Sequence, residues 1–372
     1  MATDPGGLQT DPALQALIDQ VRQARAARSP LNIRGGLSKA FYGEAPAREP
    51  ARWLDVRPLS GISSYEPSEL VVTARAGTPL AELEAALAEK GQHLPFDPPR
   101  FSAGGTVGGM VAAGLAGPSR AAVGGVREHL LGATLLNGRA ELLSFGGQVM
   151  KNVAGYDVSR LLAGSMGMLG LICEVSLKVL PRPMASATLR FELGEALALQ
   201  RLGRWRGLPL PLNASAWWNG MLVLRLAGAD AAVQASVKAL GGDVIAAPLA
   251  EQFWTGLRDH RDEFFATAQQ AIVSGATLWR LSVPATTPVM VLPGEHLVEW
   301  GGAQRWVVTT APAAPLRESA AAVGGHATAF RGHKAGAAMT PLSAPLARIH
   351  QSLKTAFDPD RVFNPGRLYP GL

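Results

Sequence analysis

The sequence predicts an α+β fold of two domains and a returning C-terminal tail, and three observations carry that prediction. The chain has 372 residues, more than one ordinary hydrophobic core organises. Its composition changes along its length: residues 101–170 hold 16 of the 42 glycines, and the stretch that follows is rich in Trp and Leu. Pro181 and Pro183 punctuate the change, and beyond them strand and helix patterns follow a βαββαβ order. The boundaries read as 1–182, 183–340 and 341–372. Apolar content of 47% with 17% charged residues excludes disorder as the main state.

In the first region, Asp11–Pro12 opens a helix with Leu14, Leu17, Ile18 and Val21 on one face, ending near Arg28. Leu31–Arg34 is a short strand stopped by Gly35–Gly36, and Arg52–Val56 and Glu69–Arg75 read as further strands. Thr78–Pro79 opens a helix to Lys90, closed by Gly91. Strand patterns at 127–136 and 140–145 flank Asn137–Gly138 as a hairpin signal. Asp157 caps a short helix to Ala163, and Leu169–Leu180 is a long apolar strand. The second region reads as strand 187–193, helix 195–206, a hairpin across Asn219–Gly220, helix 230–240 and strand 243–247, a ferredoxin-like order. A weaker second set follows: helix 249–266, strand 277–283, hairpin strands around Gly301–Gly302, helix 315–323 and strand 326–330. Leu342, Leu346, Ile349 and Leu353 then mark a helix over 342–356 that is expected to dock by its apolar face.

Cys173 is the single cysteine, so this chain alone builds neither a disulfide nor a cysteine-ligated cluster, and no metal site is expected. Net charge is +6, carried by 28 scattered arginines and seven lysines. With no dense basic run and no aromatic interleaving, nucleic acid is not the expected partner. The polar N-terminus lacks a signal-peptide pattern, and no apolar run reaches the ~20 residues of a membrane span. The expectation is a cytoplasmic protein, at most peripherally associated with a membrane.

No G-x-G-x-x-G, Walker, H-E-x-x-H or G-x-S-x-G motif occurs. Several glycine-rich loops remain, each beside an apolar segment: Arg34–Lys39, Gly104–Gly109, Gly146–Gly147, Gly155 and Gly164-x-x-Gly167-x-x-Gly170. Glycine lets backbone N–H groups converge on an anion without a Cβ in the way. Two or three such loops meeting at one place would cradle a pyrophosphate, with Arg34 or Lys39 adding charge.

These loops and their order resemble the flavin-binding (PCMH-type) domain of the vanillyl-alcohol oxidase / p-cresol methylhydroxylase superfamily, and within it the FAD-binding subunits of bacterial glycolate oxidases. The likeness rests on Arg34-Gly-Gly-Leu-Ser-Lys39, Gly104-Gly-Thr-Val-Gly-Gly-Met110, Phe145-Gly-Gly-Gln-Val-Met-Lys-Asn-Val-Ala-Gly-Tyr-Asp157, Gly164-Ser-Met-Gly-Met-Leu-Gly170 and Phe357-Asp-Pro-x-x-Val-Phe-Asn-Pro-Gly-Arg367. It implies FAD lying between two subdomains. The pyrophosphate would sit on Gly35, Gly36, Leu37 and Ser38, and more of the FAD on Gly104, Gly105, Thr106, Gly108 and Gly109. Asn152, Gly155 and Asp157, then Gly170, Leu171 and Ile172, would line the remaining length, and Asn364 would return from the tail. The first loop lacks the histidine of covalent members, so the FAD is expected to be noncovalent. The family's frequent Gly-Ser-Glu-Gly is Gly164–Ser165–Met166–Gly167 here, and the histidine and acidic metal set of the sister catalytic subunits has no counterpart.

Oxidising a 2-hydroxy acid needs a base for the hydroxyl proton and a cation for the carboxylate. His326, Arg331, His333 and Lys334 are the densest local set of those types, alternatively a basic surface loop. The resemblance implies glycolate as the small 2-hydroxy acid substrate, a flavin-bearing catalytic subunit and an iron–sulfur subunit as partners, and electrons passing towards a membrane quinone or another acceptor. A non-catalytic subunit that relays electrons or holds the assembly is the alternative. The seven tryptophans from Trp205 to Trp306 read as second-domain core or partner interface.

Overall fold

The computed structural model describes residues 7–44, 52–147, 157–332, 334 and 336–372. Helix α1 (Pro12–Ala26) starts where Asp11 Oδ1 accepts from Ala13 N, and it buries Leu14, Leu17, Ile18 and Val21. Strand β1 (Asn32–Arg34) lies parallel to β2 (Trp53–Asp55), with Ile33 opposite Leu54. Then come β3 (Ile62–Glu66), β4 (Val71–Arg75), α2 (Leu80–Glu89), β5 (Gln92–His93), α3 (Val107–Ala113) and the single turns α4 (Arg120–Val123) and α5 (Val126–His129). Strands β6 (Leu130–Leu136), β7 (Leu142–Gly146) and β8 (Leu171–Lys178) complete an antiparallel sheet ordered β3-β4-β8-β6-β7, and β9 (Leu180–Pro181) pairs with β5. As an inner strand, β8 is buried almost continuously, and burial pushes the Cys173 thiol up to about 12.

The second sheet is built from two similar halves. Strand β10 (Ala185–Glu192), α6 (Glu195–Arg206), β11 (Leu212–Trp218), β12 (Met221–Gly228), α7 (Asp230–Leu240) and β13 (Asp243–Ile245) lie in the spatial order β13-β10-β12-β11, the ferredoxin-like arrangement. Asn219 and Gly220 both take positive φ in the β11–β12 turn, as a two-residue hairpin requires. Helices α8 (Ala247–Asp259) and α9 (Glu263–Val273) lead to β14 (Thr277–Ser282), β15 (Glu295–Glu299), β16 (Gln304–Thr309), α10 (Ala313–Ala322) and β17 (His326–Gly332). These strands repeat the order in reverse, β15-β16-β14-β17, and β11 joins β15 to make one eight-stranded antiparallel sheet. One face of that sheet packs under α6, α7 and α10. The other packs α8 and α9 and meets Tyr42, Ala113 and Leu115 from the first half of the chain. The last helix is α11 (Ala344–Phe357).

Several expectations need correction. The helix expected over 249–266 is two helices, broken at His260 (φ +55°), where the ring turns into an aromatic cluster. Asn137–Gly138 is not a two-residue turn: Asn137 Oδ1 accepts from Arg139 N and Glu141 N, Ala140 takes the positive φ, and Gly138 N donates to Phe357 O. Thr78 does not cap α2, because its hydroxyl donates to Gly61 O and Arg75 O. The segment after Asp157 is a single 3₁₀ turn, Ser159–Leu162. Strand β3 was not predicted. The tail does return: Leu31 pairs in parallel with Phe363, and Val362 and Phe363 join the core of the first sheet.

Candidate functional site

A cleft opens between the segment after β1, the start of α3, the start of β8 and the tail. Its floor is fixed by backbone pairing. Leu80 N donates to Gly105 O, Val107 N to Thr78 O and Gly108 N to Ala76 O, while Thr106 Oγ1 caps α3 by accepting from Gly109 N. Gly108 and Gly109 are therefore the first turn of a helix rather than loop. Several of these glycines are sterically required, Gly36 and Gly108 among them. A methyl group on Gly36 would overlap the Gly104 carbonyl, and one on Gly108 would lie 2.6 Å from Ala76 Cβ.

Arg34 through Lys39, Thr106, Gly108, Gly109, Gly170, Leu171, Ile172 and Asn364 line this one cleft. Gly104 and Gly105 stand behind its wall, the former supporting Gly36. Asp157 does not line it: its carboxylate accepts from Ser159 Oγ and pairs with Arg160, half exposed. Asn152 and Gly155 lie outside the described residues. Sequence reasoning missed Trp53, Val56, Ala76, Ala112 and Ala113, which carry no chemical signature, and also Met166 and Arg367. The last two stood inside the quoted motifs.

The cleft fits a flavin dinucleotide on its own terms. The N–H groups of Gly35, Gly36, Leu37 and Ser38 donate to no acceptor among the described residues, so four successive donors are free for an anion. Ile33, Val56, Ala76, Leu171 and Ile172 supply apolar wall for planar rings. Arg34 is committed to Asp55 at 3.0 Å, and Asp55 is held down to about 2, first by Arg57 and further by Arg34. The Lys39 ammonium makes no hydrogen bond among the described residues, while the residue's carbonyl accepts from Tyr42 N. Its ammonium lies 5.8 Å over the Phe101 ring, and burial lowers its pKa to about 8 against the pull of Asp259 and Glu84. Among the described lining residues there is no His, Cys or Tyr to form a flavin bond.

Asn364 brackets the cleft. With φ +42°, it accepts from Ile33 N through Oδ1 and donates from Nδ2 to Met166 O, both at 2.7 Å. Behind it, buried Lys354 donates to Met168 O, Phe363 O and Asp358.

The proposed catalytic set is not brought together around the cleft. His326 is exposed at the start of β17, and Arg331 sits near its other end, about 16 Å away by strand rise. Arg331 stacks 3.8 Å over Phe41, and Lys334 Nζ donates to the carbonyls of Phe41 and Gly43 at 2.6 Å each. His333 lies outside the described residues. Where the second sheet meets the cleft-forming segment, Phe101, Phe330 and Trp306 pack around His260, and Phe41 packs on Phe101 and Phe330. That imidazole stacks 3.7 Å on Phe265, and burial, with Arg331 and Arg280, holds it well below the usual histidine range. The residue as a whole is part-buried, and its Nδ1 has no hydrogen-bond partner among the described residues.

Residues 13–146 match the FAD binding domain family. The chain is 47% identical over 358 residues to glycolate oxidase subunit GlcE of Escherichia coli (strain K12), covering 96% of this chain and 98% of that protein. It is 28% identical over 162 residues to glycolate oxidase subunit GlcD of Bacillus subtilis (strain 168), covering 44% and 34% respectively. A solved alkyldihydroxyacetonephosphate synthase superposes with TM-score 0.66 at 14% identity, over 94% of this chain and 75% of that one. This last likeness carries the fold alone, an FAD domain of the PCMH type with a second α/β domain.

Proposed function

The chain belongs to the FAD-binding glycolate oxidase subunit family, and from that premise we propose that it holds noncovalent FAD in the described cleft and serves, within a multi-subunit complex, the oxidation of glycolate to glyoxylate. The observation that carries the reading is the convergence of four separate chain segments on one cleft, where the loop from Gly35 to Ser38 spends none of its N–H donors among the described residues. Bound FAD supplies a two-electron acceptor that can also pass electrons singly. The chain's own residues do the rest. Gly35–Ser38 meet the pyrophosphate with main-chain donors, Lys39 supplies positive charge to the cleft, and Asn364 fixes the distance between β1 and the Met166 loop. We assign residues 1–182 and 341–372 to the FAD-holding unit and 183–340 to the second domain. No described helix is long and apolar enough to cross a membrane. The partners in this reading are a flavin-bearing catalytic subunit and an iron–sulfur subunit, and any membrane contact is made through them from the cytoplasmic side.

Arg331 and Lys334 are spent on the 41–43 segment, and His260 is stacked on Phe265. That favours a second reading for this chain's own role, in which its flavin relays electrons while a partner binds the substrate. The test is anaerobic addition of glycolate to the purified chain, followed by the same addition to the reconstituted complex. Bleaching of the isolated flavin assigns oxidation to this chain; a flavin that stays oxidised alone and is reduced only in the complex assigns the relay. A chain that purifies without FAD and takes none up refutes both.

A further inference from the structure

Helix α11 is attached by the wrong face. Its sequence carries Leu346, Ile349 and Leu353 in steps of three and four, the spacing of a buried helical stripe. Yet Lys354 is its one buried residue. Leu346 is 47% exposed and Ile349 55%, and neither they nor Leu353 join any of the hydrophobic clusters. The helix cannot roll to cover the stripe, because Lys354 is tied to Met168 O and Phe363 O, each at 2.8 Å, and to Asp358 at 2.7 Å. The tail therefore holds an apolar stripe outward, ten residues ahead of the Asn364 bracket.

We propose that this outward face of α11 is the docking surface for an amphipathic helix of a partner subunit, one that sets acidic residues beside an apolar stripe. The proposal rests on the multi-subunit reading above. The three-and-four spacing matches a partner helix lying along α11. The charge selects its chemistry: residues 341–357 contain no Asp or Glu, while Arg348 stands next to the stripe and Arg139 reaches the carbonyl of Ala356 at the far end. A second copy of α11 would set Arg348 against another basic, carboxylate-free face. A lipid surface is matched poorly, since the stripe is narrow, presents no exposed aromatic ring and is flanked by Ser352, Thr355 and Gln351 rather than a basic cluster.

The test is co-expression of the tagged full chain with the flavin-bearing and iron–sulfur subunits of the same organism's complex. The variants are Leu346→Asp with Ile349→Asp, and separately Arg348→Glu and Arg348→Lys. The altered positions are exposed, so the isolated variants should keep the parent's FAD content and melting temperature. The double variant should recover less than about a tenth of the partner subunits, Arg348→Glu should weaken recovery, and Arg348→Lys should retain it. Parent-level recovery by the double variant overturns the proposal while leaving the complex intact. A parent chain that recovers neither subunit overturns the multi-subunit reading and this proposal together. A dimer of the isolated chain that the double variant dissociates, or parent binding to phosphatidylserine vesicles that it abolishes, assigns the stripe to a second copy or a membrane instead.

Discussion

Asn364→Ala measures what the tail does for the cleft. The native amide makes two hydrogen bonds of 2.7 Å, from Ile33 N to Oδ1 and from Nδ2 to Met166 O. Truncation strands the Ile33 N–H in a half-buried site, costing about 1–3 kcal/mol, and removes a net bond to Met166 O worth about 1 kcal/mol. The backbone sits at φ +42°, where alanine is disfavoured by a further ~1 kcal/mol relative to asparagine. The terms overlap because water can enter the opened cleft, so a loss of about 3 kcal/mol is expected in apoprotein stability, read from urea midpoints by tryptophan fluorescence. The two segments released both line the FAD cleft, so FAD affinity should fall at least about tenfold, read by flavin fluorescence quenching. Asn364→Asp keeps the acceptor for Ile33 and tolerates the left-handed backbone, and it should lose about half as much. A stability change below about 0.5 kcal/mol in Asn364→Ala would refute the reasoning, since the bracket would then hold nothing together.

Four other outcomes follow from the same geometry. Lys39 sits near 8 without ligand, and an anionic dinucleotide favours its charged form, so FAD affinity should be greatest at lower pH and fall as pH rises through about 8; Lys39→Met should flatten that profile, and a parent dissociation constant unchanged from about pH 7 to about pH 9.5 would remove Lys39 from the site. Glu299, buried and hydrogen-bonded by Trp306 and Gln304, is pushed up to about 7 chiefly by burial, so its stabilising contribution is complete below the unfolded carboxyl range and is lost as pH rises through about 7. Glu299→Gln keeps an acceptor for Trp306 and should reduce the fall in melting temperature between about pH 5 and about pH 8; an unchanged slope refutes the assignment. Gly36→Ala should break the fold around the Gly104 contact and yield little soluble protein, whereas Gly105→Ala meets only Ser38 Oγ at 3.3 Å and should fold with reduced FAD occupancy, so equal yields and equal flavin contents would contradict the packing. Acid precipitation should release the flavin, and colour retained on the pellet would show a covalent bond.

The fold was legible where a local rule had no competitor. Asp11 capped α1 because Pro12 followed it and nothing else claimed its carboxylate's first oxygen, and Asn219–Gly220 turned β11 into β12 because both residues tolerate positive φ. It was illegible where tertiary contacts overrode the local signal. Asn137–Gly138 has the same letters, but Gly138 is held against Phe357 O and the turn moved to Ala140. His260 itself carries no mark of a helix break; the mark is Asp262, which caps α9 by accepting from Phe265 N and is easily passed over inside an apolar helical pattern. Strand β3, Ile-Ser-Ser-Tyr-Glu, is an edge strand with no fully buried residue, so its weak apolar pattern matches its environment.

The site was legible for a related reason. Glycine at 35, 36 and 108 records places where a side chain is excluded, and such exclusions survive in the letters. Ala76 and Ala112 line the same cleft yet read as any other alanine. Proximity in sequence misled for Arg331 and Lys334, because both charges turn to the 41–43 segment, the one onto a ring and the other onto carbonyls. Periodicity misled for α11 in a more instructive way. The steps from Leu346 to Leu353 establish that an apolar stripe exists, but not what covers it. The decisive residue is Lys354, whose letter reads as solvent-facing and whose ammonium is instead buried on three acceptors, Met168 O, Phe363 O and Asp358. A buried lysine that anchors a helix by its polar side leaves the apolar side facing outward, so here the exposure of Leu346 and Ile349 follows from the buried charge.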